Sequence, residues 1–530
     1  MNETEFNLLD EPWIRVMDDN CQIKEVSLTD ALLNAHKYKA LKGEMPTQDI
    51  VILRLMLAIV HTVFSRVDAD GNEAELEEED DALDRWESLW NNRKIPEKPV
   101  REYLEKWHER FWLFHPERPF GQMAVLDTRD YDVQKLNGEI LQSDNKKRVF
   151  SPYSGEAKHK MSFAQAARWL MALNGFTDMG TKKPNPKKPG WLADIGTLYV
   201  VGDNLFDTIM LNYVPLYPDG EFRKECPIWE KDTIVIVGNK LLPIPDNRSE
   251  LYTALPRKVL LIKDVNCVRV FKVTAGDYFE TENAFIEPMT AWKKVIDKKK
   301  EFYMPFKHDS EKQLWREFSS ILMQSENHDT ELAEVVKWTN FLCKKRIIKH
   351  GYVFSISTIG LSFGDLFKSL VKHVYFDSLE MNAQILSEVG RGYREEIKFE
   401  ISRCEELADK ISRLAGNLYL ASGGTSGSKT APDKTYRSTK TNAKSQLYYR
   451  LDIPFRSWLS SLEPENDDKQ EKFEQWQDTA KRITLDLGRE LVAAVDDTAM
   501  VGHMIDETIY SAPKAYNIFL RDVSKIYQKI

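Results

Sequence analysis

The longest apolar stretch of the sequence, Ile50 to Phe64, is the feature that most limits how this chain can fold. It contains Arg54 and His61, and it is too short to cross a bilayer comfortably. A helix that is apolar on nearly all sides needs a core that surrounds it. We therefore expect a buried helix that begins near Pro46 and ends near Arg66, and no association with a membrane.

Length and charge indicate a globular protein with more than one domain. The chain has 530 residues, of which 42% are hydrophobic and 11% aromatic. Its net charge of −9 argues against a surface that is basic throughout, but not against local basic patches. Much of the acidity lies in one run, Glu73 to Asp81. We interpret this run as a solvated helix face or loop, with repulsion of DNA or binding of a partner as the alternative.

The five cysteines and the N-terminus indicate a cytoplasmic protein. No two cysteines have the spacing of metal ligands or of a disulfide framework. The chain begins with acidic and polar residues instead of a basic, apolar leader. We expect a reducing, cytoplasmic environment and no zinc ribbon.

The first three quarters of the chain mix short strands with helices. Residues Phe6 to Val16 form two apolar runs around Pro12, which predicts strand, turn, strand. Helical patterns begin after Ser27, which we expect to be an N-cap, and return after about Glu311. Further helices are predicted at about Val100–Trp112 and Ser162–Asn174, and β-branched strands at Thr197–Val201, Arg257–Ile262 and Cys267–Val273.

The last 140 residues are different, because they are almost entirely helical in pattern. A Gly/Ser/Thr/Lys tract, Ser422 to Lys440, is predicted to be a loop. Helices are predicted at about Gly392–Leu420, Ala443–Leu462, Lys469–Val495 and Ser511–Gln528. We predict an α+β protein in which a large mixed α/β domain, residues 1–385, precedes a C-terminal four-helix bundle, residues 386–530.

Three basic, flexible segments interrupt this acidic chain, at residues 145–160, 181–190 and 422–446. Lysines on exposed loops suit phosphate backbones, because each neutralised phosphate releases counterions. The alternative is that loops of this kind are rich in lysine only for solubility. Backbone contacts are predicted for Lys182, Lys183, Lys187, Lys188, Lys434 and Arg437.

Catalytic motifs are weak in this sequence. His308-Asp309 and His328-Asp329 are of the type found in metal phosphohydrolases, but both lie in polar, loop-like contexts and are interpreted as surface residues. There is no phosphate-binding P-loop, nucleophile elbow or His-Glu-x-x-His pair. We predict a protein that is not an enzyme and holds no metal or cofactor. The alternatives are a metal-dependent nuclease or phosphohydrolase, and a helical adaptor that binds only protein.

Five short motifs occur in a characteristic order along the chain. They are Phe6–Val16, Phe114–Gln122, Gly202–Asn212, Pro227–Glu230 and Glu287–Trp292. Together with the helical C-terminal quarter, they resemble the CasA family, the large subunit of the type I-E CRISPR surveillance complex Cascade. The resemblance covers essentially the whole chain.

This resemblance implies a non-catalytic subunit that binds the other Cascade subunits and the guide RNA. Members of the family check target double-stranded DNA for a protospacer-adjacent motif through the minor groove. They help to separate the strands and to form the R-loop, and they recruit a helicase–nuclease. In such RNA-guided systems protein contacts recognise the short motif, and base pairing recognises the target.

The resemblance also implies roles for particular residues. Recognition of the DNA motif is expected from a glycine-containing loop and from a lysine in the β-rich middle, for which Tyr278 is an alternative position. A strand-separating wedge and a loop that docks on guide RNA and neighbouring subunits are also expected. The motif residues are Thr177, Asp178, Met179, Gly180 and Lys272; the wedge is Gly364, Asp365, Leu366, Phe367 and Lys368; the docking loop contains Phe150, Ser151, Tyr153 and Lys158.

Overall fold

A computed structural model gives the fold of most of the chain. It describes residues 4–136, 153–176, 188–232, 241–276, 278–324, 327–349, 351–363, 371–428, 431, 433–505 and 507–528. Helices and strands are both abundant in these residues, which confirms the α+β class.

The chain forms two compact units. The first contains Met1–Lys312, Ser320–Leu342 and Phe354–Ser378, and the second contains Gln313–Ser319, Cys343–Val353 and Leu379–Ile530. The predicted division at residue 385 lies close to the last of these boundaries. The two short earlier segments of the second unit were not predicted.

The strands are short and spread over several small sheets. In chain order they are β1 (Glu5–Asn7), β2 (Ile14–Met17), β3 (Ile23–Val26), β4 (Ala40–Leu41), β5 (Trp112–Phe114), β6 (Asp130–Asp132), β7 (Thr197–Val201), β8 (Leu241–Leu242), β9 (Arg257–Asp264), β10 (Cys267–Ala275), β11 (Tyr278–Phe279), β12 (Trp292–Asp297), β13 (Lys300–Pro305), β14 (Thr330–Glu331), β15 (Val353–Phe363), β16 (Val371–Asn382), β17 (His503–Ile505) and β18 (Thr508–Tyr510).

The longest helices lie in the C-terminal part of the chain. In chain order the helices are α1 (Leu28–Leu33), α2 (Pro46–Phe64), α3 (Glu79–Asn91), α4 (Glu97–Lys106), α5 (Phe163–Phe176), α6 (Trp191–Asp194), α7 (Leu205–Asn212), α8 (Arg248–Thr253), α9 (Phe318–Leu322), α10 (Glu334–Lys344), α11 (Arg391–Ala421), α12 (Lys434–Ser460), α13 (Lys469–Ala493), α14 (Asp497–Val501) and α15 (Ala512–Ile526).

Helix α2 is the expected buried helix. Pro46 occupies its first position, and almost every later side chain is buried, including Arg54 and His61. Among the described residues it is the one helix long and apolar enough to span a membrane, yet 94% of the relevant window is buried inside the protein. It packs on α5 and α8, so it is the centre of the first unit's core.

The N-terminal prediction of strand, turn, strand is confirmed, but the two strands are not partners. Strand β1 pairs with β5, and β2 lies between β3 and β4. The helix predicted to reach Trp112 was therefore wrong at its end: α4 ends at Lys106, and Trp112 pairs with Asn7. This pairing joins segments about a hundred residues apart, so no local sequence pattern could predict it.

Three sheets of the first unit carry most of the predicted β structure. Strands β6, β10 and β9 form one sheet, in which Lys272 of β10 pairs with Asp130 and Leu260. Strands β16, β15 and β7 form a second, and β13, β12 and β14 a third. The long strands β15 and β16 were not predicted from the sequence.

The second unit is mainly helical. Helix α11 contacts α12, α13 and α15, and α12 also contacts α13. The contact between α12 and α13 is rich in aromatic rings, with Trp458 stacked on Trp476 at 5.3 Å. Along the chain, α13 is followed by the short helix α14 and by a hairpin of β17 and β18 before α15 begins. The short helix and the hairpin were not predicted.

Helix α12 begins nine residues earlier in the chain than the sequence pattern suggested, inside the tract predicted to be a loop. The Asp433 side chain accepts a hydrogen bond of 2.8 Å from the backbone N–H of Tyr436, which caps the helix at Lys434. Lys434 and Arg437 therefore lie on a helix and not on a flexible loop, because the cap outweighs the weak helix propensity of the Ser and Thr residues.

Candidate nucleic-acid interface

A basic groove of about 710 Å³ lies between α11 and α12 in the second unit. Its cationic side chains come from the last half of α11 and the first half of α12, with Tyr436 as its aromatic wall. The lining residues are Asp409, Lys410, Ser412, Arg413, Ser426, Tyr436, Arg437, Lys440, Thr441 and Lys444. Five cations against one carboxylate make this a local positive surface on an acidic chain.

The close approach of the two helices depends on Gly416 of α11. A Cβ atom at this position would lie 3.0 Å from the Tyr436 ring and 3.2 Å from the Lys440 side chain. Tyr419 and Tyr436 face each other across the same contact, with ring centroids 6.2 Å apart. The glycine thus lets Tyr436 and Lys440, which line the groove, lie against α11.

Only part of the positive charge in the groove is neutralised internally. Lys444 forms an ion pair with Asp409, and Arg413 lies 3.6 Å from Asp522 of α15. Among the described residues, no carboxylate pairs with the remaining cations, which are Lys410, Arg437 and Lys440. Three cations beside an aromatic ring can bind a phosphodiester backbone and stack a base.

A second basic feature is the hairpin of β12 and β13 in the first unit. Asp297 pairs with Lys300, so Lys298 and Lys299 form a two-residue turn, and their φ angles are +46° and +74°. Positive φ at both positions is typical of a type I′ turn, which usually holds Asn-Gly. Three consecutive lysines, Lys298 to Lys300, mark this hairpin in the sequence, but they were not among the predicted site residues.

Lys272 lies on the outer face of the β6–β10–β9 sheet, half-buried, with its ammonium 3.7 Å from Asp130. The exposed Asp130 carboxylate contributes little to holding it, since such exposed ion pairs contribute about 0–1 kcal/mol. Tyr278, the alternative position, is buried, and its hydroxyl accepts a hydrogen bond from the Arg257 guanidinium. Tyr278 is therefore wrong as a groove-binding residue.

Lys188 is not a free lysine on a loop, and that expectation was wrong. Its ammonium lies 3.2 Å from Asp194 and donates to the Phe279 carbonyl at 3.3 Å and the Thr281 hydroxyl at 3.4 Å. An ammonium has three donors, and all three are directed at protein oxygens.

The comparison with protein families decides what kind of protein presents these surfaces. The family of CRISPR-associated protein Cse1 matches residues 7–487, which is most of the chain. The chain belongs to this family. The resemblance to CasA, another name for Cse1, is thereby confirmed.

Individual Cse1 proteins are similar in sequence and in fold. CasA/Cse1 of Thermus thermophilus is 31% identical over 324 residues, and this alignment spans 60% of each chain. The Thermobifida fusca Cse1 structure has a TM-score of 0.81 at 24% identity and covers 99% of this chain and 98% of its own. A chain of a CRISPR RNA-guided surveillance complex has a TM-score of 0.63 at 16% identity and covers 99% and 100%.

Many of the predicted site residues lie outside the described part of the chain. These are Thr177, Asp178, Met179 and Gly180 of the motif loop; Gly364, Asp365, Leu366, Phe367 and Lys368 of the wedge; Phe150 and Ser151 of the docking loop; and Lys182, Lys183 and Lys187. Strands β15 and β16, which flank the wedge in sequence, are neighbours in one sheet.

The remaining predicted site residues lie in the part of the chain that the structure describes. Tyr153 is half-buried, and its hydroxyl accepts a hydrogen bond of 3.3 Å from Gln165. Lys158 lies on a single 3₁₀ turn, Gly155–His159, and is also half-buried. On α12, Arg437 lines the basic groove, whereas Lys434 is exposed but is not among the lining residues.

The two His-Asp dipeptides have different surroundings. His308 was expected at the surface but is buried; it packs against Tyr375 at 5.6 Å, and its Nε2 lies 3.0 Å from the Lys312 carbonyl. His328 is exposed and bonds to Glu331 at 3.0 Å. Within the described part of the chain, no group of three or more His, Cys, Asp or Glu side chains is placed to hold a metal ion.

Proposed function

We propose that this chain is the large subunit of a type I-E Cascade that recognises a protospacer-adjacent motif in duplex DNA. In this role it acts in the cytoplasm with the other Cascade subunits and a guide RNA. It helps to separate the strands and to form the R-loop, and it recruits a helicase–nuclease. It contributes binding and strand separation, and cleavage is left to the recruited enzyme, so the chain itself is not an enzyme.

The observation that carries the DNA-binding part of this proposal is the basic groove between α11 and α12. Its unneutralised cations, Lys410, Arg437 and Lys440, stand beside Tyr436 on a chain whose net charge is −9. A displaced single strand offers both phosphates and unstacked bases, and such strands bind where cations and aromatic rings alternate. We assign this groove to the backbone of single-stranded DNA.

The helices that form the groove belong to a proposed C-terminal four-helix bundle. Helices α11, α12, α13 and α15 are the four long members, and α11 contacts each of the other three. We propose that the bundle, from about residue 386, is the part that holds separated DNA. The mixed domain before it, residues 1–385, would then recognise the motif.

Motif recognition is assigned to the first unit. Thr177 to Gly180 would approach the base edges in the minor groove, where a glycine leaves room for the backbone. Lys272 would reach the same groove after exchanging the exposed Asp130 for a base or phosphate oxygen. Residues 364–368 would act as the wedge, because apolar side chains such as Leu366 and Phe367 can unstack a base step. The segment from Phe150 to Lys158, with Ser151 and Tyr153, would dock on the guide RNA.

The groove can be tested by the salt dependence of single-strand binding. Full-length protein is titrated with a short single-stranded oligonucleotide at several salt concentrations. Arg437→Gln with Lys440→Gln should lower the slope of log K against log[salt] by about 1.4, because each lost single-strand phosphate contact contributes about 0.7. Arg391→Gln with Lys398→Gln is the matched control, since it removes two charges from exposed positions of α11 outside the groove lining.

The two parts of the proposal have separate outcomes. An unchanged slope in the groove variant, or an equal loss in the control with Arg391→Gln and Lys398→Gln, would remove the groove from the DNA path. Assembled wild-type complex that binds duplexes equally well whatever their flanking motif would refute motif recognition. Salt-independent binding throughout would favour the protein-only adaptor, and metal-dependent cleavage abolished by His308→Ala or His328→Ala would favour the nuclease.

A further inference from the structure

The Lys188 ammonium is held by two parts of the chain, the nearby helix α6 and the distant stretch at β11. The Phe279 carbonyl and the Thr281 hydroxyl, which accept from its ammonium, are 91 and 93 residues away. Asp194, at the end of α6, supplies the negative charge, and its other oxygen lies 3.4 Å from Lys307. Lys188 is therefore an internal link between the chain just before α6 and the chain at β11.

Neighbouring contacts reinforce this link. The Arg257 guanidinium contacts the Tyr278 hydroxyl and lies 3.5 Å from the Lys188 carbonyl. The rings of Trp191 and Phe279 meet edge to face at 6.1 Å. At Lys188 and again at Trp191, then, side chains tie this stretch of chain to β11.

The link lies directly after residues 177–187, and close packing is also present on the two sides of that segment in sequence. A Cβ atom at Gly190 would lie 2.5 Å from the carbonyl oxygen of Gly175, which belongs to the last turn of α5. The last turn of α5 and the backbone at Gly190 therefore meet in one tight contact. Strand β11 in turn follows β10, which carries Lys272, after only two residues.

We propose that Lys188 and Asp194 are positioning residues, which fix the chain just before α6 against β11 and do not contact DNA. The proposal rests on the function proposed above, in which Thr177 to Gly180 and Lys272 recognise the same DNA motif. The Lys188–Asp194 link then maintains the relative position of these two recognition elements. Loosening it lowers the preference for the correct motif without removing a phosphate contact.

Two substitutions of opposite charge separate a positioning role from phosphate binding. If Lys188 bound phosphate, Lys188→Ala would weaken cognate and non-cognate duplexes equally and lower the salt slope by about 0.9, whereas Asp194→Asn would strengthen both. If the two residues form a positioning link, both variants lose preference for the cognate motif, by about 2- to 30-fold, with an unchanged slope. Binding is measured with the assembled complex, and Lys224→Ala, an exposed lysine of the first unit, is the control.

Hydrogen exchange in the free protein provides a test that does not depend on DNA. The backbone N–H groups of Ala193 and Asp194 donate to the Gly190 carbonyl at 3.0 and 3.1 Å. Both variants should speed exchange at these amides and leave exchange in α2 unchanged. Asp194→Asn keeps the shape of the side chain, so it remains informative if Lys188→Ala folds poorly.

The outcomes distinguish this inference from the proposed function. Unchanged exchange in both variants, or opposite effects of the two variants on affinity, would overturn the positioning role while motif recognition stands. A wild-type complex without motif preference would refute the proposed function, and the exchange measurement would still decide whether Lys188 and Asp194 form the link.

Discussion

The buried ion pair between Arg54 and Glu287 makes a strong and unusual prediction about stability. The guanidinium donates to both carboxylate oxygens, at 2.8 and 2.9 Å, and neither side chain is more than 3% exposed. The carboxylate also accepts from the indole of Trp191 at 2.6 Å and from the backbone of Met289 at 3.0 Å. Burial alone would raise the pKa of Glu287, but the Arg54 charge and these hydrogen bonds hold it below its usual value.

Removing either partner leaves an uncompensated charge in the core. Glu287→Gln and Arg54→Met should each lower the free energy of unfolding by about 3–5 kcal/mol at pH 7.5. The double variant should cost clearly less than the sum of the two, because neither charge then remains. The assay is urea denaturation followed by tryptophan fluorescence, in a double-mutant cycle.

The sign of the pH dependence provides a sharper test of the same pair. In the wild type, Glu287 has a lowered pKa, so its contribution is present above the unfolded pKa and is lost as the pH falls through the folded one. In Arg54→Met, burial acts without the opposing charge and raises the pKa, so this variant should regain stability as the pH falls from 7.5 toward 5. Additive single costs, single costs below about 1 kcal/mol, or parallel pH profiles in the two proteins would refute this reasoning.

Two further predictions concern a buried histidine and a strained turn. The pKa of His61 is held well below its usual value by burial and then by the Arg248 charge, with Glu225 3.9 Å away and the rings of Tyr213 and Tyr252 against it. Below about pH 6.5 only the unfolded chain takes up this proton, so the free energy of unfolding should fall by up to about 1.4 kcal/mol per pH unit. In His61→Gln, urea denaturation at several pH values should show this part of the pH dependence lost. The same pH dependence in the variant and the wild type would contradict the prediction. Replacing Lys298-Lys299 by Asn-Gly should raise the free energy of unfolding by about 1 kcal/mol, because both positions have positive φ, and a lower melting temperature would count against this turn geometry.

Much of the fold could be predicted because its signals are local. The limits of α2, α5 and α11 follow from hydrophobic periodicity, Pro46 and small-residue content, and strands β7, β9 and β10 follow from β-branched residues. The features that the sequence did not predict depend on contacts between residues distant in the chain. The partner of β1 lies about a hundred residues away, and the three partners of Lys188 cannot be inferred from its basic, proline-rich surroundings.

The helix α12 illustrates a different kind of failure. Its first ten residues contain Thr, Ser and Asn, which have weak helix propensity, so the composition favoured a loop. The informative signal was the single residue Asp433, whose side chain caps the helix. As a result, Arg437 was selected for the right charge but placed on the wrong kind of structure, and its neighbour Lys440, also in the groove, was missed.

Several of the motifs that identified the family supply buried polar side chains that hold distant segments of the fold together. Gln122 bonds to the backbone of Leu113 at 2.7 Å and of Leu261 at 2.8 Å; the Asn212 side chain bonds to both backbone groups of Val200; Glu287 holds Arg54. Buried polar groups of this kind must be paired, so a change in either partner costs about 1–3 kcal/mol or more. Such residues carry information about the fold and none about the DNA.

Residues that would touch DNA are under weaker physical constraint, because most surface substitutions change stability by no more than about 0.5 kcal/mol. A lysine can therefore move along a loop or to a neighbouring strand without disturbing the fold. Transfer of a role by sequence position is then least dependable where function is expected, as Lys188 shows: it has the charge for a phosphate contact, yet its donors face Asp194, Phe279 and Thr281. The proposed DNA path is therefore best assigned from cations that have no carboxylate partner among the described residues, and by that criterion Arg437 and Lys440 precede Lys188, which lies 3.2 Å from Asp194.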